Sequence, residues 1–361
     1  MPRIDTFLKF LIEKGGSDLH ISVGAPPMIR LDGRLIPLKF RPIEKNESKV
    51  LLYEIMSDFQ KERFEEFLEV DFGYEISGLS RFRCNVFTQR KGISAALRAI
   101  PTKISSVEDL GLPKVILDFT QLLKGLVIVT GPTGSGKSTT LAAMVDYINK
   151  TREHHIITIE DPIEFVHTNK KCLINQRELY LHTKSFANAI RVALREDPDV
   201  ILVGEMRDLE TIELAITAAE TGHLVFGTLH TISAPKTIDR IINVFPVNQQ
   251  EQIRMMLSES LKGVVSQILL PKVTGGRCAA VEIMIGNHAV SNLIRENKTF
   301  QIKSTIQTHR AMGMQTMDQC LLDLLSQKLI KPEDAFMSSE DKSLFEPYLK
   351  RQMTKGTKKI G

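Results

Sequence analysis

Leu126-Val-Ile-Val-Thr130 runs directly into Gly131-Pro-Thr-Gly-Ser-Gly136-Lys137-Ser138, and that junction decides how the larger part of the chain folds. The first five residues are apolar or β-branched and too few for a helix, so they read as a short buried strand. The next eight form an uninterrupted G-x-x-x-x-G-K-S, a loop that wraps phosphates with backbone N–H groups where no Cβ stands in the way. The pattern predicts a helix over 137–149, whose N-terminal partial positive charge also faces the anion. Lys137 places a cation over the phosphates and Ser138 offers a hydroxyl to Mg²⁺. The residues expected to bind a nucleoside triphosphate are Gly131, Pro132, Thr133, Gly134, Ser135, Gly136, Lys137, Ser138 and Thr139.

Outward from this junction, short apolar runs at 126–129, 156–159, 200–203 and 224–229 alternate with helical stretches. That order predicts an α/β domain with a largely parallel sheet covered on both faces, its ligand at the carboxyl ends of the strands. After 249 the pattern turns helical, with one further strand expected at 280–285. The first hundred residues read instead as a small α+β domain. A hairpin spans 28–36 around Asp32-Gly33, one or two helices occupy 45–67, and strands follow at 71–75, 80–87 and 93–99. In the middle strand Phe82, Cys84 and Val86 alternate with Arg81, Arg83 and Asn85, so one face is buried and the other presents cations. Residues 101–118, carrying Pro101, Gly111 and Pro113, read as a linker to a second domain over 119–361.

With 361 residues, 42% hydrophobic and 25% charged, the chain can bury a core in each of two domains. No apolar run approaches the ~18 residues needed to span a bilayer, and the N-terminal residues hold no secretory apolar core, so the expected location is the cytoplasm. Cys84, Cys172, Cys278 and Cys320 lie far apart with no C-x-x-C pair, which argues against a zinc ribbon or a disulfide framework and for four buried thiols. A net charge of +4 is short of the clustered excess of a nucleic-acid-binding protein, and no nucleic-acid partner is expected. Lys350, Arg351, Lys355, Lys358 and Lys359 read as a solvated end, with attraction to an anionic membrane surface as the functional alternative.

Hydrolysis needs carboxylates that hold metal and orient water. Glu160-Asp161-Pro162-Ile163-Glu164 follows the strand at 156–159, with Pro162 ending the strand. Val200-Ile-Leu-Val203-Gly204-Glu205 is an apolar strand closing on an acid, the Walker B arrangement, except that Gly204 stands where many nucleotide hydrolases have aspartate. Metal contact is therefore expected from Ser138, waters and Glu160 and Asp161. Glu205 is left to polarise the attacking water, assisted by Glu164. His230, at the carboxyl end of the strand 224–229, is placed to sense a γ-phosphate.

The loop 131–138, the acidic box Thr158-Ile-Glu-Asp-Pro-Ile-Glu164, the stretch 195–208 and the histidine box ending Gly227-Thr-Leu-His230 resemble the secretion ATPases of the type II secretion and type IV pilus superfamily. Gly16-Ser-Asp-Leu-His-Ile21 with Gly24-Ala-Pro-Pro-Met-Ile-Arg-Leu-Asp-Gly33 resembles the PilT-like branch within it, the pilus retraction motors. The resemblance covers residues 6–335. A short retraction motif is matched by Ala289-Val-Ser-Asn-Leu-Ile-Arg-Glu296, with Val290 and Ser291 replacing isoleucine and arginine. The additional N-terminal domain and tetracysteine motif of many extension and secretion relatives are not found before or within these motifs.

The resemblance implies a PAS-like N-terminal domain, a RecA-like C-terminal ATPase domain, a homohexameric ring, and ATP-driven retraction of a type IV pilus through an inner-membrane platform protein. It places the protein at the cytoplasmic face of that membrane. Ring geometry implies an arginine from a neighbouring subunit at the γ-phosphoryl group, and Arg83 and Arg98 are the residues selected from Arg81, Arg83, Arg90 and Arg98. An accessory PilU-like motor, an extension or secretion ATPase of the same superfamily, and a nucleotide-gated assembly scaffold are the alternatives.

Overall fold

The computed structural model describes residues 2–31, 33–100 and 104–349 and divides the chain into two units. One holds residues up to 103 together with 162–166, and the other holds 104–161 and everything from 167 onward. Asp32 and the basic stretch from Lys350 lie outside the described residues.

The N-terminal unit is built on six strands, β1 (Asp18–Ile21), β2 (Met28–Leu31), β3 (Arg34–Pro37), β4 (Glu69–Ile76), β5 (Ser80–Gln89) and β6 (Gly92–Ile100). They lie in the order β3-β2-β1-β6-β5-β4, antiparallel throughout. Helices α1 (Asp5–Glu13), α2 (Lys45–Tyr53) and α3 (Asp58–Phe67) share a core with the sheet. As the alternation predicts, Phe82, Cys84 and Val86 are fully buried while Arg81, Arg83 and Asn85 are only half-buried. Ser57 starts α3 with a reciprocal capping box, its hydroxyl accepting from Gln60 N while the Gln60 side chain accepts from Ser57 N.

The C-terminal unit carries β7 (Gly125–Thr130), β8 (His155–Glu160), β9 (Leu173–Glu178), β10 (Val200–Val203), β11 (Leu224–Leu229), β12 (Leu261–Pro271) and β13 (Arg277–Ile285). The order is β13-β12-β7-β11-β10-β8-β9, with β13 antiparallel to β12 and every other pairing parallel. Every residue of β7, β10 and β11 is buried, as expected of parallel strands covered on both faces. Successive side chains of β7 enter opposite cores, Leu126 and Ile128 one and Val127 and Val129 the other. The helices are α4 (Val115–Thr120), α5 (Lys137–Thr151), α6 (Phe186–Ala193), α7 (Leu209–Glu220), α8 (Ala234–Asn243), α9 (Gln250–Ser260), α10 (His288–Arg295), α11 (Ile302–Thr308), α12 (Met317–Ser326) and α13 (Pro332–Ser338).

Two features depart from the sequence reading. Residues 104–118 belong to the C-terminal unit rather than to a free joint, because Val107, Leu112 and Ile116 are buried in one of its cores. The segment after 249 also contains β12, which is not helical. Gly263 marks it: a Cβ there would stand 2.4 Å from Phe119 Cε1, so the backbone lies flat against an aromatic ring. All four cysteines are buried free thiols. Among the described residues no helix is long and apolar enough to cross a membrane.

Candidate active site

The phosphate loop leaves β7 at Thr130 and enters α5 at Lys137. Gly131, Gly134 and Gly136 have φ of 143°, 79° and 90°, a region that favours glycine. Space excludes a side chain as well at two of them. A Cβ on Gly131 would sit 2.2 Å from Gln267 O, and one on Gly136 would sit 2.7 Å from Gln267 Nε2. Pro132, Thr133 and Gly134 form the exposed crest, Ser135 is buried, and Ser138 and Thr139 are half-buried in the first turn of α5. Lys137 Nζ donates to Gly131 O at 2.9 Å and to Pro132 O at 3.2 Å, folding back over the loop. Buried Ser135 Oγ finds no hydrogen-bond partner among the described residues. An open cradle with one orphaned hydroxyl, a cation at its edge and a helix N-terminus behind it fits a polyphosphate.

Two strands over, β10 closes on Gly204 and Glu205. Gly204 N donates to Ile159 O at 2.8 Å, and a Cβ at this position would meet Ile159 O at 2.9 Å and Glu160 Cα at 3.2 Å. The aspartate that many nucleotide hydrolases carry here has no room, because β8 passes too close. Glu205 Oε1 lies 2.8 Å from His230 Nε2, so the residues just beyond β10 and β11 form one pair. Arg207 grips the same carboxylate with both arms, Nε to Oε1 at 2.5 Å and Nη2 to Oε2 at 2.7 Å. Burial alone would push the Glu205 carboxyl up, but hydrogen bonds from Arg207 and His230 outweigh it and hold the group below the ordinary glutamate value. Glu205, Met206, Arg207, Leu229, His230, Thr231 and Arg240 line a cleft of ≈ 210 Å³.

The acidic box is divided. Glu160, the last residue of β8, accepts from Thr158 Oγ1 at 2.6 Å and from Gln176 Nε2 at 3.1 Å. Asp161 stays with the C-terminal unit and contributes to the field that raises the Arg207 pKa, chiefly set by the Glu205 hydrogen bond. Glu164 groups with the N-terminal unit, where its Oε1 lies 3.9 Å from Arg83 Nη1. Arg83 also lies 3.9 Å from Asp71. Arg98, directly across the ladder from Arg83, donates through Nε to Asp18 at 2.8 Å. His223, at the other end of β11, sits 3.0 Å from Ala218 O and finishes α7.

Among the described residues, no three carboxylate, imidazole or thiol side chains converge as a metal cage. Ser138 and Glu160 still fit a water-rich Mg²⁺, which takes few protein ligands beside substrate phosphates.

Three residues of the site escaped the sequence reading. Arg207 stands two positions after Glu205, a spacing that carries no motif. Arg240 comes from α8, and Gln267 from the unforeseen β12. In sequence Thr130 reads only as the end of a strand, yet its hydroxyl donates to Thr231 O at 2.6 Å and lies 2.8 Å from Thr231 Oγ1. The phosphate loop and the histidine box are thereby tied at their roots.

The chain is 58% identical over 92% of its length, and 96% of the relative's, to the type IV pilus retraction ATPase PilT of Pseudomonas aeruginosa. It is 40% identical over 93% of its length, and 88% of the relative's, to the type IV pilus ATPase PilU of the same organism. A crystal structure of the pilus retraction motor PilT with bound ADP superposes with a TM-score of 0.88 at 53% identity, covering 94% of this chain and 98% of the other. The model of the type II/IV secretion system protein family matches residues 3–323. With residues 3–323 matched by that model and 58% identity to PilT over 92% of its length, the protein belongs to the type II/IV secretion system protein family.

Proposed function

We infer that this chain is an ATPase motor that drives type IV pilus retraction. The observation that carries the reading is the meeting of an open phosphate loop and a Glu205–His230 pair beyond the carboxyl ends of β7, β10 and β11. The names of its relatives supply the biological setting.

Lys137, the loop amides and the N-terminus of α5 hold the phosphates of ATP. Mg²⁺, when bound near Ser138, supplies charge neutralisation across the phosphates, with Glu160 and Asp161 as its supporting acids. Glu205 is ionised, hydrogen-bonded and at the cleft, as required to orient a water and take its proton. His230 holds that carboxylate and reports the state of the γ-phosphate to α8. Arg83, with only 3.9 Å contacts, is the better of the two candidates to reach a neighbouring subunit's phosphates. Arg98 is already committed to Asp18.

The working assembly is a homohexamer at the cytoplasmic face of the inner membrane, engaging a platform protein. An accessory role is the second reading, and the higher identity to PilT than to PilU favours the primary motor. Steady-state phosphate release by the purified protein tests the enzyme, and Glu205→Gln is expected to lower kcat by about 10²–10⁴-fold with ATP still bound. Counting pili in a deletion strain tests the direction of work. Excess pili support retraction, and their absence refutes it.

A further inference from the structure

Gln267 lies in the middle of β12, 3% exposed, and its carboxamide is used at both ends. Nε2 donates to Ser135 O at 2.7 Å, and Oε1 accepts from Thr140 Oγ1 at 2.8 Å. Its partners bracket Gly136, Lys137, Ser138 and Thr139, and its own atoms are what a Cβ on Gly131 or Gly136 would strike. β12 is held beside β7 by a parallel ladder that pairs Ser266 with Thr130, so Gln267 is presented to the loop by the sheet itself.

A peptide unit is planar and trans, so its C=O and N–H point in opposite directions. Ser135 O and Gly136 N belong to one such unit. A donor that captures Ser135 O from the β12 side turns the Gly136 N–H away from β12. We propose that Gln267 is a positioning residue for nucleotide binding: by holding Ser135 O it fixes the Ser135–Gly136 peptide so that the Gly136 N–H faces the phosphates before they arrive.

The bond to Thr140 serves a separate end, fastening the first turn of α5, where Thr140 N also donates to Gly136 O at 3.0 Å. Ser135 N donating to Pro132 O at 3.2 Å and the Lys137 ammonium donating to two carbonyls also close the loop, but neither touches Ser135 O. Without Gln267, each binding event must bear the cost of ordering that peptide, and the loss appears as affinity.

The proposal rests on the nucleotide reading of the loop, and the test separates the two. Binding of ADP is measured by calorimetry on the full chain, for wild type, Gln267→Met, Gln267→Glu and Thr140→Val. The nucleotide-free unfolding midpoint and amide exchange of the peptide spanning 131–140 are followed alongside. Gln267→Met keeps the length and removes both bonds; ADP affinity is expected to fall about tenfold, with faster exchange in that peptide. Thr140→Val leaves the Ser135 bond in place and is expected to lose less than about threefold. Gln267→Glu sets a carboxylate against Ser135 O, so its deficit relative to wild type should shrink as pH falls and the acid becomes able to donate.

Unaltered affinity in folded Gln267→Met, with only a lower midpoint, overturns the proposal, as do equal losses in Thr140→Val and Gln267→Met. Should Gln267→Met not fold, Gln267→Glu decides: a deficit independent of pH counts against it and one relieved by acid supports it. Failure of wild type itself to bind ADP sinks the nucleotide reading instead.

Discussion

Replacing Glu282 by glutamine should stabilise the protein, and only at high pH. Glu282 lies on β13, 2% exposed, and its Oε1 accepts the backbone N–H of Ala234 at 2.7 Å, the first residue of α8. Burial pushes its carboxyl up from 4.5 to about 7. The hydrogen bond from Ala234 works against the rise, Glu340 and Asp318 add to it, and Lys303 lowers it. The folded chain therefore keeps a proton that the unfolded chain releases. Below pH 4.5 the carboxyl is neutral in both states and costs nothing. Between 4.5 and 7 the burden accumulates, and above 7 it is complete. A displacement from 4.5 to about 7 corresponds to about 3 kcal/mol at 1.36 kcal/mol per unit. In Glu282→Gln the new carboxamide would keep an oxygen for Ala234 N and carry no charge. Differential scanning calorimetry of nucleotide-free wild type and Glu282→Gln from pH 5 to 9 checks this. The melting temperatures should converge at the acid end and separate by several degrees at the alkaline end, the variant higher. A difference that stays constant with pH, or a variant less stable at pH 9, would refute the electrostatic argument.

Other outcomes follow from the site. Arg207→Gln removes the two strongest contacts to the Glu205 carboxylate, so the acid limb of the kcat–pH profile should move to higher pH; an unmoved limb means that Glu205 is not the titrating base. Gly204→Ala forces a Cβ to 2.9 Å from a carbonyl of β8 and should cost about 1–3 kcal/mol in a urea titration, with Gly204→Asp worse. Arg83→Ala should reduce turnover of the assembled protein without weakening ATP binding. Arg98→Ala should instead lower the unfolding midpoint, because Asp18, with an 8% exposed side chain, loses its 2.8 Å cation and keeps the Ser17 hydroxyl at 2.7 Å and Arg30 at 3.7 Å. Equal kcat for wild type and Arg83→Ala counts against an arginine acting across subunits.

How much the sequence disclosed follows from how local each feature is. The phosphate loop, β7 and α5 were legible because strand, glycine spacing and helix follow one another without interruption and each is demanded by backbone chemistry. Glu205 and His230 were legible as strand-terminal residues, but their mutual hydrogen bond depends on β10 and β11 being neighbours in the sheet, which no spacing encodes. Gly204 looked like a deviation from a motif and proved to be a packing requirement set by β8. β12 was missed because Leu261-Lys-Gly-Val-Val-Ser-Gln-Ile-Leu-Leu270 is an apolar run without clear period, and such runs suit a buried strand or a buried helix equally. Gln267 was lost with it. Residues 104–118 carry the proline and glycine of a connector, yet Val107, Leu112 and Ile116 are apolar enough to be drawn into a core.

The Gln267–Ser135 bond joins residues 132 positions apart. A ribosome delivers the glycine loop long before the strand that braces it, so nascent chain bearing every nucleotide motif still has an unbraced loop. Nucleotide should therefore bind chains that end before β12 about tenfold more weakly, gaining its full hold only when the sheet is complete. Between an incomplete chain and a finished protomer, the finished one is then the better competitor for nucleotide.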